Sequence, residues 1–322
     1  MTQQSEYAVA VKIGTLDAVA TVPGSKSIAH RALICAALAR GESTISGLSD
    51  GDDTQAMLQG LMMLGTSISL NGADARVECS IDLDCMDAIT VDANLAGTTA
   101  RFLTAVGALR RGPMTVTGNE SLRNRPMKDL HLALEQLGAS VAWQSEQYCL
   151  PVTVQRSESY SHAVQVAADT SSQFVTSLML VAPMLEHGLT IELTGNVISL
   201  PYIAMSATVM RSFGATVRIT DNRIIEIDGG GYVGCDFVVE PDASAASYPF
   251  AAAAVVGGCV RVAGMRSNML QGDSRFIDVL RQMGCEILVD QTGVTISRDA
   301  NDPLQGVDID MSEISDLVPT LA

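Results

Sequence analysis

Lys26 stands between Ser25 and Ser27, and Arg31 follows little more than one helical turn later. Small or hydroxyl-bearing clusters open further helical patterns at Gly97-Thr98-Thr99, Ser171-Ser172-Gln173, Asp242-Ala243-Ser244 and Ser315-Asp316. Helix N-termini carry unpaired N–H groups and the positive end of the helix dipole. Small side chains let an anion approach those groups, and hydroxyls add donors. Arg101 lies just inside the second cluster, while Arg123 and Arg125 flank Asn124 ahead of Pro126. Guanidinium forks and an ammonium point charge suit carboxylate and phosphate. Any one Ser or Thr here reads first as an ordinary helix cap, worth about 1 kcal/mol. The cations recurring at equivalent loop positions shift the reading toward a cleft for a small polyanion.

Composition narrows the partners. The formal charge is −16, which argues against nucleic acid and anionic membranes. A few focused cations can still dominate a cleft locally. No apolar run approaches the roughly 18 residues a membrane helix needs; residues 250–260 come nearest, and Gly257 and Gly258 interrupt them. The first residues, MTQQSEYAVAVK, lack a basic stretch followed by an apolar one, so no signal peptide is expected. Seven scattered cysteines without a C-x-x-C spacing read as reduced thiols of a cytoplasmic protein. His30, His131, His162 and His187 show no metal-ligand spacing, and His131 and His187 are expected on a helix surface or helix end. The acidic stretch SDGDDTQ reads as a helix start, with metal binding as the lesser reading. GGGYVG (229–234) reads as a hairpin, since no Gly-Lys-Ser/Thr follows it. No serine lies in G-x-S-x-G, so a hydrolase triad has no support.

The elements that must position these residues repeat. Four amphipathic helical segments end at Gly65, Gly138, Gly214 and Gly284, each followed by a strand-like run. A second, interleaved series of Ala/Leu-rich helices ends at Gly41, Gly112, Gly188 and Gly258 with matching spacing. Glycine adopts positive φ without strain and commonly stops helices. The spacing predicts an α/β chain built from units of about 70 residues, larger than a solenoid repeat. With 322 residues the chain has the length for two domains. The last stretch, MSEISDLVPTLA, reads as a fifth copy of the first helix cut before its glycine, which suggests a piece of a longer protein.

Seven stretches carry a family resemblance: VPGSKSIAHRALICAALARG, LAGTTARFLTA, SLRNRPM, DTSSQFVTSLML, SLPYI, EPDASAASY and NMLQGDSRFIDVLRQMG. Together, from about residue 11 to the end, they resemble the 5-enolpyruvylshikimate-3-phosphate synthase family. The related UDP-N-acetylglucosamine enolpyruvyl transferases are a poorer match. Their lysine is followed by asparagine and they carry a reactive cysteine loop, whereas Ser27 follows Lys26 here and ESLRNRPM has no cysteine.

The resemblance implies transfer of the enolpyruvyl group of phosphoenolpyruvate to the 5-hydroxyl of shikimate 3-phosphate, without metal or organic cofactor, in a protein that is monomeric when full length. It implies a two-lobed enolpyruvyl transferase-like fold of repeated βαβαββ units around pseudo-threefold axes. Residues 21–240 would form the complete lobe, and residues 1–20 plus 241–322 an incomplete second one with exposed apolar faces. Lys26 would contact both substrates and take part in catalysis. Ser27 and Arg31 would hold shikimate 3-phosphate, Arg31 through the carboxylate. Ser171, Ser172 and Ser199 would bind its phosphate, Gln173 would lie against the ring, and Tyr202 would stand near it. Gly97 and Arg125, with Lys26 and Gln173, would take phosphoenolpyruvate. Asp316 would accept the 5-hydroxyl proton. The sequence departs from the family at Leu95, where many members have asparagine, with Asn94 one place early. A Lys-Glu pair with an arginine, an Asn-Asp-His-Arg stretch and a final lysine expected further on have no counterpart in these 322 residues. Little or no turnover is therefore expected, with shikimate 3-phosphate binding retained; the alternative is a truncated non-catalytic module that binds this ligand.

Overall fold

Short strands with one buried face set the layers. Met114–Thr117, Val152–Gln155 and Leu189–Thr194 bury every second side chain, as the two-residue period of a strand requires when one face meets a core. The computed structural model describes residues 14–322 apart from Ile198 and Ser267. The expectations placed on residues 1–13, as a start without a signal peptide and as part of the second lobe, lie outside the described residues.

Among the described residues four sheets of four strands share one order: a parallel outer pair, then two antiparallel strands. The first runs Asp236–Val238, Ser43–Ser46, Asp74–Val77, Ile68–Asn71. The second runs Ile89–Asp92, Met114–Thr117, Val152–Gln155, Ser140–Trp143. The third runs Ala163–Ala167, Leu189–Thr194, Ile224–Ile227, Val217–Thr220. The fourth runs Leu16–Ala20, Gly258–Ala263, Gly293–Arg298, Glu286–Val289.

The helices are α1 Lys26–Leu38, α2 Asp52–Met63, α3 Gly97–Gly107, α4 Glu120–Arg123, α5 Lys128–Leu137, α6 Ser172–Val181, α7 Leu200–Ser212, α8 Ala243–Val256, α9 Phe276–Gln282 and α10 Val318–Leu321. In α1 every residue from Ile28 to Leu38 is buried, and α3 and α6 are buried almost as fully. A helix apolar on all sides belongs inside. α1, α3 and α6 pack on one another at the centre, with α2, α5 and α7 outside them. Gly65, Gly138, Gly214 and Gly284 all have positive φ, 84° to 108°, and stop the outer helices. Gly112 does not; a Cβ there would meet the Met86 carbonyl carbon at 2.5 Å, so close approach is what excludes a side chain.

Two hydrophobic clusters result. One gathers residues from Ile28 to Val239 and the other residues from Ala243 to Leu317. The chain passes between them twice, side by side. Ser25 N–H donates to Glu240 O and Asp242 N–H to Pro23 O, both at 2.8 Å. Consequently Leu16–Ala20, which precedes α1, pairs in the sheet beside α8, and Asp236–Val238, which precedes α8, pairs in the sheet beside α1. Tyr248 and Val255 on α8 stay about 70% exposed.

Two local expectations are corrected. His131 is not on a helix surface: it is buried in α5, and Trp143 Nε1–H donates to its Nδ1 at 3.0 Å. Its neighbours Leu130 and Leu134 share its inward face. Residues 229–234 are not a hairpin either. Tyr232–Val233 pair in parallel with Ala39–Arg40 instead of folding back on Ile224–Ile227. Tyr232 fixes this course, being fully buried with its hydroxyl donating to Leu180 O at 2.9 Å.

Candidate functional site

Ser25 caps α1 through its hydroxyl, which accepts from Ile28 N–H, and leaves Lys26 exposed at the first helical position. Lys26 Nζ pairs with Asp53 Oδ2 at 2.8 Å. Asp53 belongs to the first turn of α2, so the N-termini of α1 and α2 lie together. Its backbone carbonyl accepts from the Thr99 hydroxyl at 3.4 Å, which brings in α3. Asp242, the cap of α8, accepts Lys26 N–H with one oxygen and Ala245 N–H with the other. Beneath this corner His30 is fully buried with neither ring nitrogen hydrogen-bonded. Burial, with Lys26 adding, holds its pKa down at about 3, so the ring is neutral.

The start of α3 forms the next stretch. Gly97 lies so close to two guanidinium groups that a Cβ would be 3.2 Å from Arg125 Nη1 and 3.4 Å from Arg101 Nη1. Arg101 donates to Gln173 Oε1 in the first turn of α6 and stands over the Phe174 ring. Burial, then the charge of Arg125, lowers Arg101 to about 10. Ser171 caps α6 by accepting Gln173 N–H at 3.2 Å, and Ser172 beside it is buried. Ser199 precedes α7 in the left-handed region, φ 57°, without capping it through its side chain. That backbone is uncommon for a residue with a Cβ.

Arg31 lies deeper than Lys26. It is 2% exposed, and its guanidinium donates to Ser206 Oγ at 2.8 Å, Ser27 O at 2.6 Å, Thr176 Oγ1 and Tyr202 O. The Phe102 and Tyr202 rings flank it. Burial lowers it to about 10. Tyr202 closes the row by donating its hydroxyl to Asp316 Oδ2 at 2.9 Å, from α7 to the turn Ser312–Leu317. Burial, then the carboxylates of Asp273 and Asp316, push the Tyr202 phenol well up.

These bonds connect Lys26, Gln173, Tyr202 and Asp316 along the N-terminal ends of α1, α3, α6 and α7, and Gly97 and Arg125 join the same strip by close approach to Arg101. Ser27, Ser171, Ser172 and Ser199 stand on the same ends. Among the described residues Arg31, Arg101 and Arg125 form no ion pair. Arginines elsewhere divide between those that hold a carboxylate, such as Arg76, Arg218 and Arg261, and those that do not, such as Arg211 and Arg223, so what distinguishes the strip is that its cations gather at helix N-termini. In a chain with so many acids, unpaired cations gathered at helix N-termini make a local field for anions. Among the described residues no group of three or more His, Cys, Asp or Glu side chains is suited to a metal ion, and no helix is long and apolar enough to cross a membrane. An indentation of about 440 Å³ lined by Arg156, Tyr160, His162 and His187 lies beyond the other end of α6 and shares no residue with the strip.

Sequence reasoning missed two residues here. Asp53 was visible only as part of an acidic helix start, and nothing local announced that it would face Lys26. Asp273 is a buried acid beside the strip, 2% exposed. Burial pushes its pKa up to about 6, with Asp316 and Asp242 adding and the Ser244 hydroxyl bond opposing.

Fold and strip together define an α/β protein of repeated four-stranded sheets with cations gathered at adjoining helix N-termini. A family model described as EPSP synthase (3-phosphoshikimate 1-carboxyvinyltransferase) matches residues 11–322. The 3-phosphoshikimate 1-carboxyvinyltransferase of Trichormus variabilis is 37% identical over 309 residues, covering 95% of this chain and 72% of that protein. That of Shewanella pealeana is 40% identical over 308 residues, covering 94% and 71%. A solved structure, EPSP synthase from Acinetobacter baumannii, superposes with a TM-score of 0.78 at 22% identity, covering 95% of this chain and 70% of that one. The chain belongs to the EPSP synthase family.

Proposed function

We propose that the chain transfers the enolpyruvyl group of phosphoenolpyruvate to the 5-hydroxyl of shikimate 3-phosphate. The hydroxyl oxygen bonds to C2 of the enol, C3 gains a proton, and loss of phosphate and of a C3 proton restores the double bond. Two anions must be held together and a hydroxyl proton removed; cations and helix N-termini meet the first need, and a carboxylate within reach meets the second. Lys26 takes both substrates. Ser27, Arg31, Ser171, Ser172, Ser199 and Tyr202 hold shikimate 3-phosphate, with Gln173 shared. Gly97 and Arg125 take phosphoenolpyruvate, and Asp316 receives the proton.

The observation that carries this reading is the strip itself: Arg31, Arg101 and Arg125 form no ion pair among the described residues and stand with Lys26 at adjoining helix N-termini. The assignment of Arg31 to the ligand carboxylate rests on the same ground, since a buried guanidinium without a counter-charge is stabilised by an arriving anion. The Tyr202–Asp316 bond supports a base placed beside the ring.

The two hydrophobic clusters and the paired crossing at Ser25 and Asp242 support a lobe of residues 21–240 and a second of residues 1–20 with 241–322. The free state of all seven cysteines supports a reducing, cytoplasmic setting, and the reading takes the protein to act as a monomer. One observation favours a second reading, capture of shikimate 3-phosphate without turnover: Asp316 is the sole proposed ligand beyond α7. Calorimetric titration with shikimate 3-phosphate tests binding, and phosphate release with both substrates present separates the two readings. Absence of binding at millimolar ligand would defeat both.

A further inference from the structure

The turn Gly272–Arg275 lies where three elements of the site converge. Its backbone abuts α7, since a Cβ on Gly272 would be 2.9 Å from Pro201 Cβ, and it packs on the Ser312–Leu317 turn that bears Asp316. Arg275 pairs with Glu313 on that turn. On the other side it is tied to the first turn of α8. The buried Gln271 accepts Ala243 N–H at 2.8 Å through Oε1, and the Ser244 hydroxyl donates to Asp273 Oδ2. Asp273 Oδ1 is buried and has no partner. An ionised carboxylate left half-satisfied in such a place is costly.

We propose that Asp273 is a positioning residue, which fastens the Gly272–Arg275 turn to α8 and thereby sets Asp316 against Tyr202. The proposal rests on the reading of Asp316 as the proton acceptor, but its structural part stands apart from any ligand. Asp273 faces Asp242, the cap of α8, Asp316 on the Ser312–Leu317 turn, and Tyr202 on α7. Arg275 in its own turn is committed to Glu313, and Asp278 on the adjoining α9 to Arg281. With its pKa raised to about 6, the neutral acid predominates below that pH, and above it a third negative charge joins Asp242 and Asp316. Ionisation strengthens the Ser244 bond but leaves a buried, unpartnered charge at Oδ1 beside Asp242 and Asp316; the raised pKa shows that the second effect is the larger, so the turn loosens as pH rises through about 6.

The test is amide hydrogen exchange of residues 312–321 in the 322-residue chain at pH 5 and pH 7.5, after correction for intrinsic rates. The strand Leu189–Thr194 serves as internal reference. Wild-type protection of 312–321 is expected to fall about five-fold or more at the higher pH while the reference holds. Asp273→Asn, whose amide oxygen still accepts the Ser244 hydroxyl without carrying charge, should keep the pH 5 protection at both values. Asp273→Ala should lack it at both. Equal protection of the wild type at the two pH values, or an Asp273→Asn protein behaving like Asp273→Ala, would overturn the proposal; if the alanine variant does not fold, wild type and asparagine decide. Shikimate 3-phosphate titrated into the same proteins reads the functional assignment separately. Absence of binding in every variant sinks that assignment and leaves the exchange result standing.

Discussion

Replacing Gly97 by alanine separates the two halves of the proposed site. The new Cβ would sit 3.2 Å from Arg125 Nη1 and 3.4 Å from Arg101 Nη1. Both neighbours are ends of flexible side chains and give way by tenths of an ångström. Gly97 has no positive φ, so the backbone accepts alanine without strain, and helix propensity favours the change by at most about 1 kcal/mol. Folding stability should hold or rise slightly. Binding should not hold, because the methyl group fills the approach between the α3 N-terminus and the guanidinium groups. Loss of one charge-assisted hydrogen bond costs about 1.5–3 kcal/mol, which is about 10- to 150-fold in affinity. The assay is calorimetric titration of phosphoenolpyruvate into protein saturated with shikimate 3-phosphate, beside a thermal melt. Shikimate 3-phosphate affinity should stay within about two-fold, its ligands lying on α1, α6 and α7. Unchanged phosphoenolpyruvate binding, or equal losses for both ligands, would refute the placement of phosphoenolpyruvate at Gly97 and Arg125.

Other substitutions test other parts of the strip. Lys26→Met should leave stability within about 1 kcal/mol, as its half-exposed pair with Asp53 contributes little, yet weaken shikimate 3-phosphate about ten-fold or more by calorimetry; undiminished binding would remove Lys26 from the site. Arg31→Ala should lower stability by about 3–5 kcal/mol in urea unfolding, because it opens a cavity and leaves the Ser206 and Thr176 hydroxyls without their shared guanidinium partner; a loss under about 1 kcal/mol would contradict its burial. His131 is held at about 4 by burial, below its usual 6.5, so its contribution is complete above pH 6.5 and is lost as pH falls through about 4. Each such histidine takes up a proton on unfolding within that window, about 1.4 kcal/mol per pH unit. His30, at about 3, acts in the same direction. Urea midpoints should therefore fall from pH 7 to pH 5, and less steeply in His131→Gln; identical slopes would count against the buried neutral ring.

What could be read in the sequence was local. Caps such as Ser25 and Ser171, and stops such as Gly65 and Gly138, announce themselves within a few residues because their chemistry acts on the adjoining backbone. The cations gathered at helix starts were legible for the same reason. Long-range placement was not. Nothing near Asp236 says that it pairs with Thr44, or near Leu16 that it pairs with Gly258. The depth of Arg31 was not legible; its burial depends on Thr176 and Ser206, supplied by α6 and α7. His131 was misjudged on the same default, since the helical period alone does not tell that a polar ring turns inward when Trp143 supplies a donor. Asp273 lies within NMLQGDSRFIDVLRQMG, but its role had no local signal, because its neighbours Ser244 and Asp316 come from distant parts of the chain.

The side-by-side crossing makes everything from α1 to Asp236–Val238 an insertion between two strands that belong together. Leu16–Ala20 can meet Gly258–Ala263 only when the intervening chain brings its ends together. With that chain disordered, loop closure alone opposes the meeting by about 5 kcal/mol. Once the inserted part has folded, Ser25 and Glu240 are already neighbours and most of that penalty disappears. Assembly is thus ordered by topology, with the larger cluster acting as the clasp for the smaller one. A single protease cut within a surface loop of the insertion leaves the clasp intact, whereas a cut between Ala20 and Ser25 releases the edge strand at once.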